Sequence, residues 1–203
     1  MIHAAKRLFA EKGFDGTTVK EIAEGAGMNI SLISYHFQGK EGLYRACVEH
    51  FGKARLAIAT RILKEPNSVE DFRIRLKMFM DEVLTLHVEE PEVSKIISRE
   101  CDTSSPLTQD IFKETFLKIF ETLVNFFKQA QQRGILKKDA DMEIVAALCF
   151  GGLLHFAQKD HVSEMFFGKT IRNPKYRENL IDSALTFYLE GCGNTDTASQ
   201  EEP

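Results

Sequence analysis

The chain has no tryptophan, only five prolines, and no two cysteines spaced as CxxC. Each shortage excludes something. With no sustained alternation of apolar and polar residues, the sequence does not describe short strands, so sandwiches and barrels are excluded. Cys47, Cys101, Cys149 and Cys192 stand far apart, with no clustered histidine beside them. They read as reduced, mainly buried thiols of a cytosolic protein, with a thiol sensor as the alternative. The longest apolar run, AALCFGGLLHFA at 146–157, is too short to span a bilayer. No signal peptide is visible, which leads to an expected cytoplasmic location and no membrane partner. A Gly-rich phosphate loop, HExxH, GxSxG and a clustered carboxylate pair are all missing, so neither an enzyme nor a bound cofactor is expected. His155, Asp160 and His161 come nearest to a metal set. They read as solvated polar residues on a helix end and loop, and no metal is expected.

What is present is helical. The 203 residues are 43% hydrophobic and include 16 phenylalanines, enough for the core of one large or two small domains. The spacing predicts an all-α protein of about nine helices. A helix over about 40–63 ends near Lys64, Glu65 and Pro66. Ser68 with Asp71 caps the next, which runs to about His87. Pro91 opens a short helix ending near Cys101. Ser105 and Pro106 form an N-cap and N1 pair for a long helix to Arg133, stopped by Gly134. Asp139 or Asp141 opens another over DMEIVAALCFGGLLHFAQK. Asn173 and Pro174 open the last, which stops at Gly191. The polar tail, 192–203, reads as disordered.

Residues 17–37, TTVKEIAEGAGMNISLISYHF, are the most informative stretch. Thr18 and Glu21 have capping-box spacing. Val19, Ile22, Ala23 and Ala26 then line one helix face. Gly27 suits the left-handed residue that ends a helix, Asn29 is a good N-cap for the next, and Met28 with Ile33 has hydrophobic-staple spacing. Two short helices joined by such a turn form a helix–turn–helix, whose second helix lies in the DNA major groove. On that second helix Ile33 and Phe37 share the inward face, and Ile30 leans toward it. Ser31, Leu32 and Tyr35 point outward, flanked by Ser34 and His36. Hydroxyls here can meet base edges or phosphate, and Leu32 a thymine methyl. No Arg or Asn stands as a bidentate reader, so affinity is expected to lean on phosphate contacts and dimerisation.

Net charge, −4, runs against a nucleic-acid partner, but its distribution is uneven. Residues 1–53 hold seven Lys/Arg and six Asp/Glu; the rest hold nineteen and twenty-four. The helix–turn–helix region is near neutral, so non-specific affinity should be weak and salt-dependent.

The segment AAKRLFAEKGFDGTTVKEIAEGAGMNISLISYHFQGKEGLY, 4–44, resembles the DNA-binding region of TetR-type (tetracycline-repressor-like) transcriptional regulators. LFAEKGF, the paired threonines, the A-G-hydrophobe-N turn, the YHF end and the following KE-x-L occur in the family's order. The resemblance covers the first quarter of the chain in detail and the rest in outline. It implies a three-helix DNA-binding domain over 1–48 and a helical effector-binding and dimerisation domain over 49–191. Thr17 and Thr18 fall where the family contacts phosphate. Asn29, Ser31, Leu32, Ser34, Tyr35 and His36 fall on the recognition helix, and Lys40 falls where the family clamps the DNA backbone. There are two departures. The chain starts almost inside its first helix, so a basic minor-groove arm is either absent or cut away. Gln38 and Gly39 replace the frequent Pro and Ser, with little consequence expected because Gly caps nearly as well.

Further roles come from the resemblance alone. The family's last two helices form a four-helix dimer interface, which here would use Ala147, Leu148, Gly151, Leu154, Leu180, Ile181, Ala184, Leu185 and Tyr188. The alternative is that both helices complete the monomer core. An effector pocket is implied with Phe79, Met80, Phe116, Phe120 and Phe150 as apolar lining and His87, Arg99 and His155 as polar groups. A core role is the alternative for each, and Arg99 and Glu100 also read as a simple ion pair. The expected function is a homodimeric, ligand-responsive transcriptional regulator, taken as a repressor. It would bind a palindromic operator in double-stranded DNA and be released by a small apolar effector. The competing reading is a helical adaptor module that binds no DNA.

Overall fold

A computed structural model describes residues 1–103 and 105–192. The expected disordered tail lies outside these residues, save the backbone of Cys192, which closes the last helix. The described residues form helices and no strand: α1 (Ile2–Lys12), α2 (Val19–Ala26), α3 (Ser31–Phe37), α4 (Lys40–Ile62), α5 (Val69–Glu89), α6 (Pro91–Thr103), α7 (Gln109–Glu114), α8 (Phe116–Gln132), α9 (Met142–Gln158), α10 (Asp160–Phe167) and α11 (Pro174–Cys192). The all-α expectation holds.

The helix count exceeds nine for two local reasons. The long helix expected over 106–133 is interrupted at Thr115, whose backbone leaves the helical region (φ −128, ψ −72). Its buried hydroxyl donates to the Ile111 carbonyl at 2.6 Å, a side-chain bond that competes with the helical ladder. Pro106 sits in a turn before α7, and Thr108 takes the cap position expected of Ser105. The second reason is α10, which occupies the stretch read as a loop. Asp160 is buried rather than solvated, and its carboxylate accepts from Thr170 Oγ1 (2.8 Å) and the Ile171 amide (2.7 Å). His155 and His161 are exposed as expected, and no group of three potential metal ligands occurs among the described residues.

Several helix starts follow the predicted chemistry. Asp71 N–H donates to Ser68 Oγ at 3.1 Å before α5. Asp141 Oδ1 accepts from the Glu143 and Ile144 amides at α9, and Asn173 Oδ1 from those of Lys175 and Tyr176 at α11. Each cap satisfies amides that would otherwise lack a partner.

The chain divides into two compact units. The first is Met1–Ala57 with Glu90–Lys118; the second is Ile58–Glu89 with the described residues from Ile119 on. The division falls inside α4, so residue 48 lies within the first unit. The first unit is held by Ala5, Leu8, Phe9, Ile22, Ile33, Leu43, Tyr44 and Ile96. Phe9 and Tyr44 meet edge to face at 4.8 Å, and Phe14 lies 5.1 Å from Tyr44. The polar end of Tyr44 is satisfied: its hydroxyl donates to Glu100 Oε1 at 2.7 Å, while Glu100 Oε2 accepts from Thr108.

In the second unit α5 packs against both α9 and α11. Phe72 stacks on Phe126 at 5.0 Å with 4° between planes, and Phe127 closes on its edge. Leu76, Met80, Leu84, Leu123, Ile181 and Leu185 complete a sealed core. Arg75 Nη1 donates to the Ile62 carbonyl at 3.0 Å, placing a cation on the C-terminal end of α4. Among the described residues no helix is long and apolar enough to cross a membrane.

Candidate DNA-binding surface

The helix–turn–helix forms through the predicted caps. Thr18 Oγ1 accepts from the Glu21 amide at 3.2 Å, and Glu21 Oε2 accepts from the Thr18 amide at 2.9 Å, completing the capping box. Gly27 adopts the left-handed conformation (φ 63, ψ 32) that ends α2. Asn29 Oδ1 accepts from both the Ser31 amide and Ser31 Oγ at 2.9 Å. It therefore caps α3 as expected, with Ile30, already helical in backbone (φ −56, ψ −32), lying between the cap and Ser31.

α3 has one buried side and one bare side. Ile33 is fully buried and Phe37 half-buried. Ser31, Ser34, Tyr35 and His36 are exposed, Tyr35 by 81%, and Leu32 is half-buried. The Tyr35 and His36 rings meet edge to face at 4.9 Å. The turn from α3 to α4 is tight. A Cβ at Gly42 would fall 1.7 Å from the Phe37 carbonyl oxygen, so only glycine lets the two helices meet this closely.

Several expectations are corrected. Thr17 is completely buried, its hydroxyl donating to the Gly13 carbonyl at 2.7 Å with the Leu8 carbonyl at 3.2 Å, so its side chain is not offered to phosphate. Thr18 is exposed, but its hydroxyl donates to Glu21 Oε2 at 2.8 Å. Glu21 also takes Lys12 Nζ at 2.6 Å. These bonds hold its carboxyl down at about 2, with Lys12 first and Thr18 next. Part of the anion seat at the start of α2 is thus filled by the chain's own carboxylate. Lys40 Nζ donates to the carbonyls of Phe14 (2.9 Å) and Thr17 (3.0 Å) and lies 4.3 Å over the Phe14 ring. It is a strut between the start of α4 and the loop before α2. Ile30, expected to lean inward, is 48% exposed, and Met28, the expected staple partner of Ile33, is 41% exposed.

The effector candidates do not form one group. Phe79 and Met80 are buried, and Phe150 lies 6.4 Å from both Phe79 and Phe120, all within the second unit. His87 Nδ1 is 2.9 Å from the Val83 carbonyl, and burial pushes its pKa down, favouring the neutral ring. Arg99 belongs to the first unit, where Nη1 and Nη2 donate to the Phe9 and Ala10 carbonyls of α1 at 2.9 and 3.2 Å. Phe116 also belongs there, 4.6 Å from Phe112 and 6.3 Å from Phe51. His155 is exposed.

The dimer candidates divide by exposure. Ala147, Leu148 and Gly151 form a bare stripe on α9, with Leu148 62% exposed, and Leu154 is half-buried. On α11, Leu180, Ala184 and Tyr188 are half-buried, whereas Ile181 and Leu185 are sealed in the second unit's core and leave the candidate set. Helical spacing from Leu148 and Ala184 would have found Ile144 and Phe187, which are 59% and 70% exposed. Met165, Phe166 and Phe167, each more than 70% exposed, lie on α10, where the sequence pattern points to a loop and so gives no helical face. Burial pushes the Cys47 and Cys149 thiols up to about 11 and 12, which disfavours a thiolate sensor at either.

Comparison with known proteins joins this geometry to a family. Residues 1–47 match the family described as bacterial regulatory proteins, tetR family. The probable HTH-type transcriptional regulator YttP of Bacillus subtilis is 30% identical over 131 residues, and the match covers 61% of each chain. An uncharacterised HTH-type regulator of the same species, YdgC, is 25% identical over 96% of this chain and 93% of its own. The fold matches FadR of Bacillus subtilis, solved with stearoyl-CoA, with a TM-score of 0.74 at 17% identity over 94% of this chain and 96% of FadR.

Proposed function

For this chain, which belongs to the TetR family of bacterial regulatory proteins, we propose the role of a homodimeric, ligand-responsive transcriptional repressor acting in the cytoplasm on a palindromic operator. The observation that carries this reading is α3, where a buried Ile33 supports an outward row of Ser31, Ser34, Tyr35 and His36. Such a row fits the major groove, where hydroxyls and a ring nitrogen meet base edges or phosphate. Leu32 supplies apolar contact, and Asn29 sets the pitch of the helix start. Thr18 and the first amides of α2 lie at the phosphate backbone. Lys40 holds the loop before α2 in place, and Thr17 closes the turn from α1.

Residues 1–48 are the DNA-binding domain in this reading, and 49–191 bind effector and pair the subunits. The bare stripe of Ala147, Leu148 and Gly151 with the half-buried Leu180, Ala184 and Tyr188 of α11 supports pairing of two copies. Two subunits reading half-sites about one DNA turn apart double the contacts that a near-neutral domain makes singly. The aromatic group of Phe79, Phe120 and Phe150 supports a small apolar effector. The effector acts by shifting the population of dimers whose two α3 helices match the half-site spacing, with α4 running through both units of each subunit.

The test is a selection of bound duplexes from a random pool at low salt, followed by titration of the winners with and without candidate apolar ligands. Enrichment of an inverted repeat, and its loss from the protein on ligand addition, is expected. Failure to enrich any sequence at low salt would sink the DNA-binding reading. A ligand that binds tightly yet leaves DNA affinity unchanged would sink the allosteric part.

A further inference from the structure

We infer that Ile30 is a specificity-determining residue of the DNA-binding surface, reading the methyl group of one thymine in each half-site; this rests on the function proposed above. The observation behind it is the way polar groups are spent at the start of α3. Asn29 Oδ1 takes both the amide and the hydroxyl of Ser31 at 2.9 Å, so the Ser31 hydroxyl donates within the chain. The first turn of a recognition helix is the part that reaches base edges. Here the Ser31 hydroxyl is committed to the helix's own cap. The same turn carries a branched apolar side chain, Ile30, left 48% exposed, beside the half-buried Leu32.

An exposed isoleucine costs free energy unless a partner removes it from water. Helical residues three apart share a face, and Ile30 and Ile33 have that spacing. Ile33 fills the core, yet Ile30 does not join it. Its backbone, already helical at φ −56 and ψ −32, places it on the end of α3 rather than in a loose turn. In the major groove only thymine offers an apolar group, its C5 methyl. An apolar side chain flanked by hydrogen-bonded neighbours therefore discriminates for thymine and against the other bases. Ser34, Tyr35 and His36, further along α3, supply the donors, and the Ser31 oxygen keeps only its accepting capacity.

The experiment uses the full chain and the duplex enriched from the random pool. Each thymine of one half-site is replaced in turn by deoxyuridine, which removes only the methyl, and dissociation constants are measured for the wild type, Ile30→Ala and Leu32→Ala. One position should weaken wild-type binding about fourfold, the effect of about one buried methyl-sized group. Ile30→Ala should weaken binding to the thymine duplex by a similar factor and be indifferent to the deoxyuridine. Leu32→Ala should still respond to it. A wild type indifferent to every methyl, or an Ile30→Ala variant as sensitive as the wild type, overturns the assignment. So does a response abolished by Leu32→Ala alone. Unchanged thermal unfolding of Ile30→Ala confirms that a recognition effect, not folding, is being read. Failure to enrich any duplex reports on the proposed function instead, so the two failures are distinguishable.

Discussion

Two helices in this molecule carry bare faces, and the faces differ in kind. α3, in the first unit, exposes Ser31, Ser34, Tyr35 and His36; α9, in the second, exposes Ile144, Ala147, Leu148 and Gly151. Both stand on a buried row: Ile33 for α3, and Val145, Ala146, Cys149 and Leu153 for α9. The difference lies in what each face can gain from a partner. A hydroxyl-rich row with flat aromatic groups loses little by facing water and gains from a hydrogen-bonding partner. A stripe of Ile, Ala, Leu and Gly has no such gain, and only an apolar partner removes it from water. In the proposed function a polar duplex meets the first, and a second copy of α9 and α11 meets the other.

Removing the support beneath α3 should have the largest effect on this comparison. Ile33→Ala deletes a fully buried side chain in the first unit's core. A loss of about 2–5 kcal/mol in chemical denaturation is expected, with operator binding lost alongside. A stable Ile33→Ala variant with intact operator binding would show that α3 does not depend on this residue.

An intermediate effect should come from exchanging damage between the two faces. Tyr35→Ala removes an 81%-exposed ring. Stability should change by less than about 0.5 kcal/mol, while operator affinity falls at least about tenfold, or about 1.4 kcal/mol. Leu148→Glu should do the reverse. Sedimentation should show the monomer–dimer equilibrium shifted at least about tenfold toward monomer, while affinity for an isolated half-site is kept. If both variants impair the same property, the faces are not specialised as described.

The smallest effect concerns the capping box. Glu21 titrates at about 2 in the folded chain against an ordinary 4.5, because Lys12 and Thr18 bond its carboxylate. Between these values the unfolded chain takes up the proton first. The stabilisation is therefore present above about 4.5 and fades as pH falls toward 2. Glu21→Gln should flatten this part of the stability–pH curve. An identical acid profile for the two proteins would show that the carboxylate does not contribute.

The legible parts of the fold are those encoded within a few residues. Thr18 with Glu21, Ser68 with Asp71, and Asn173 with Pro174 each declared a helix start, because a cap joins a side chain to an amide two or three positions away, and Gly27 declared an end through its left-handed backbone. The inward placing of Ile33 followed from helical period alone. Misreadings gathered where the deciding partner was distant or the local signal misled. Nothing near Lys40 announces that its ammonium will bond the carbonyls of Phe14 and Thr17, 26 and 23 residues away. Arg99 reaches α1 across some ninety residues. Ile181 and Leu185 share their helix with half-buried neighbours, and only packing separates core from rim.

From residues alone came the all-α class, the helix–turn–helix and the outward row of α3, since period and capping are short-range chemistry. Tertiary packing alone decided that Thr17 is buried, that Lys40 braces the fold, that Arg99 holds α1 and that Ile30 stays outside the core. Burial and long-range hydrogen bonding depend on what folding brings to a side chain, and that neighbourhood is not written beside it in the chain.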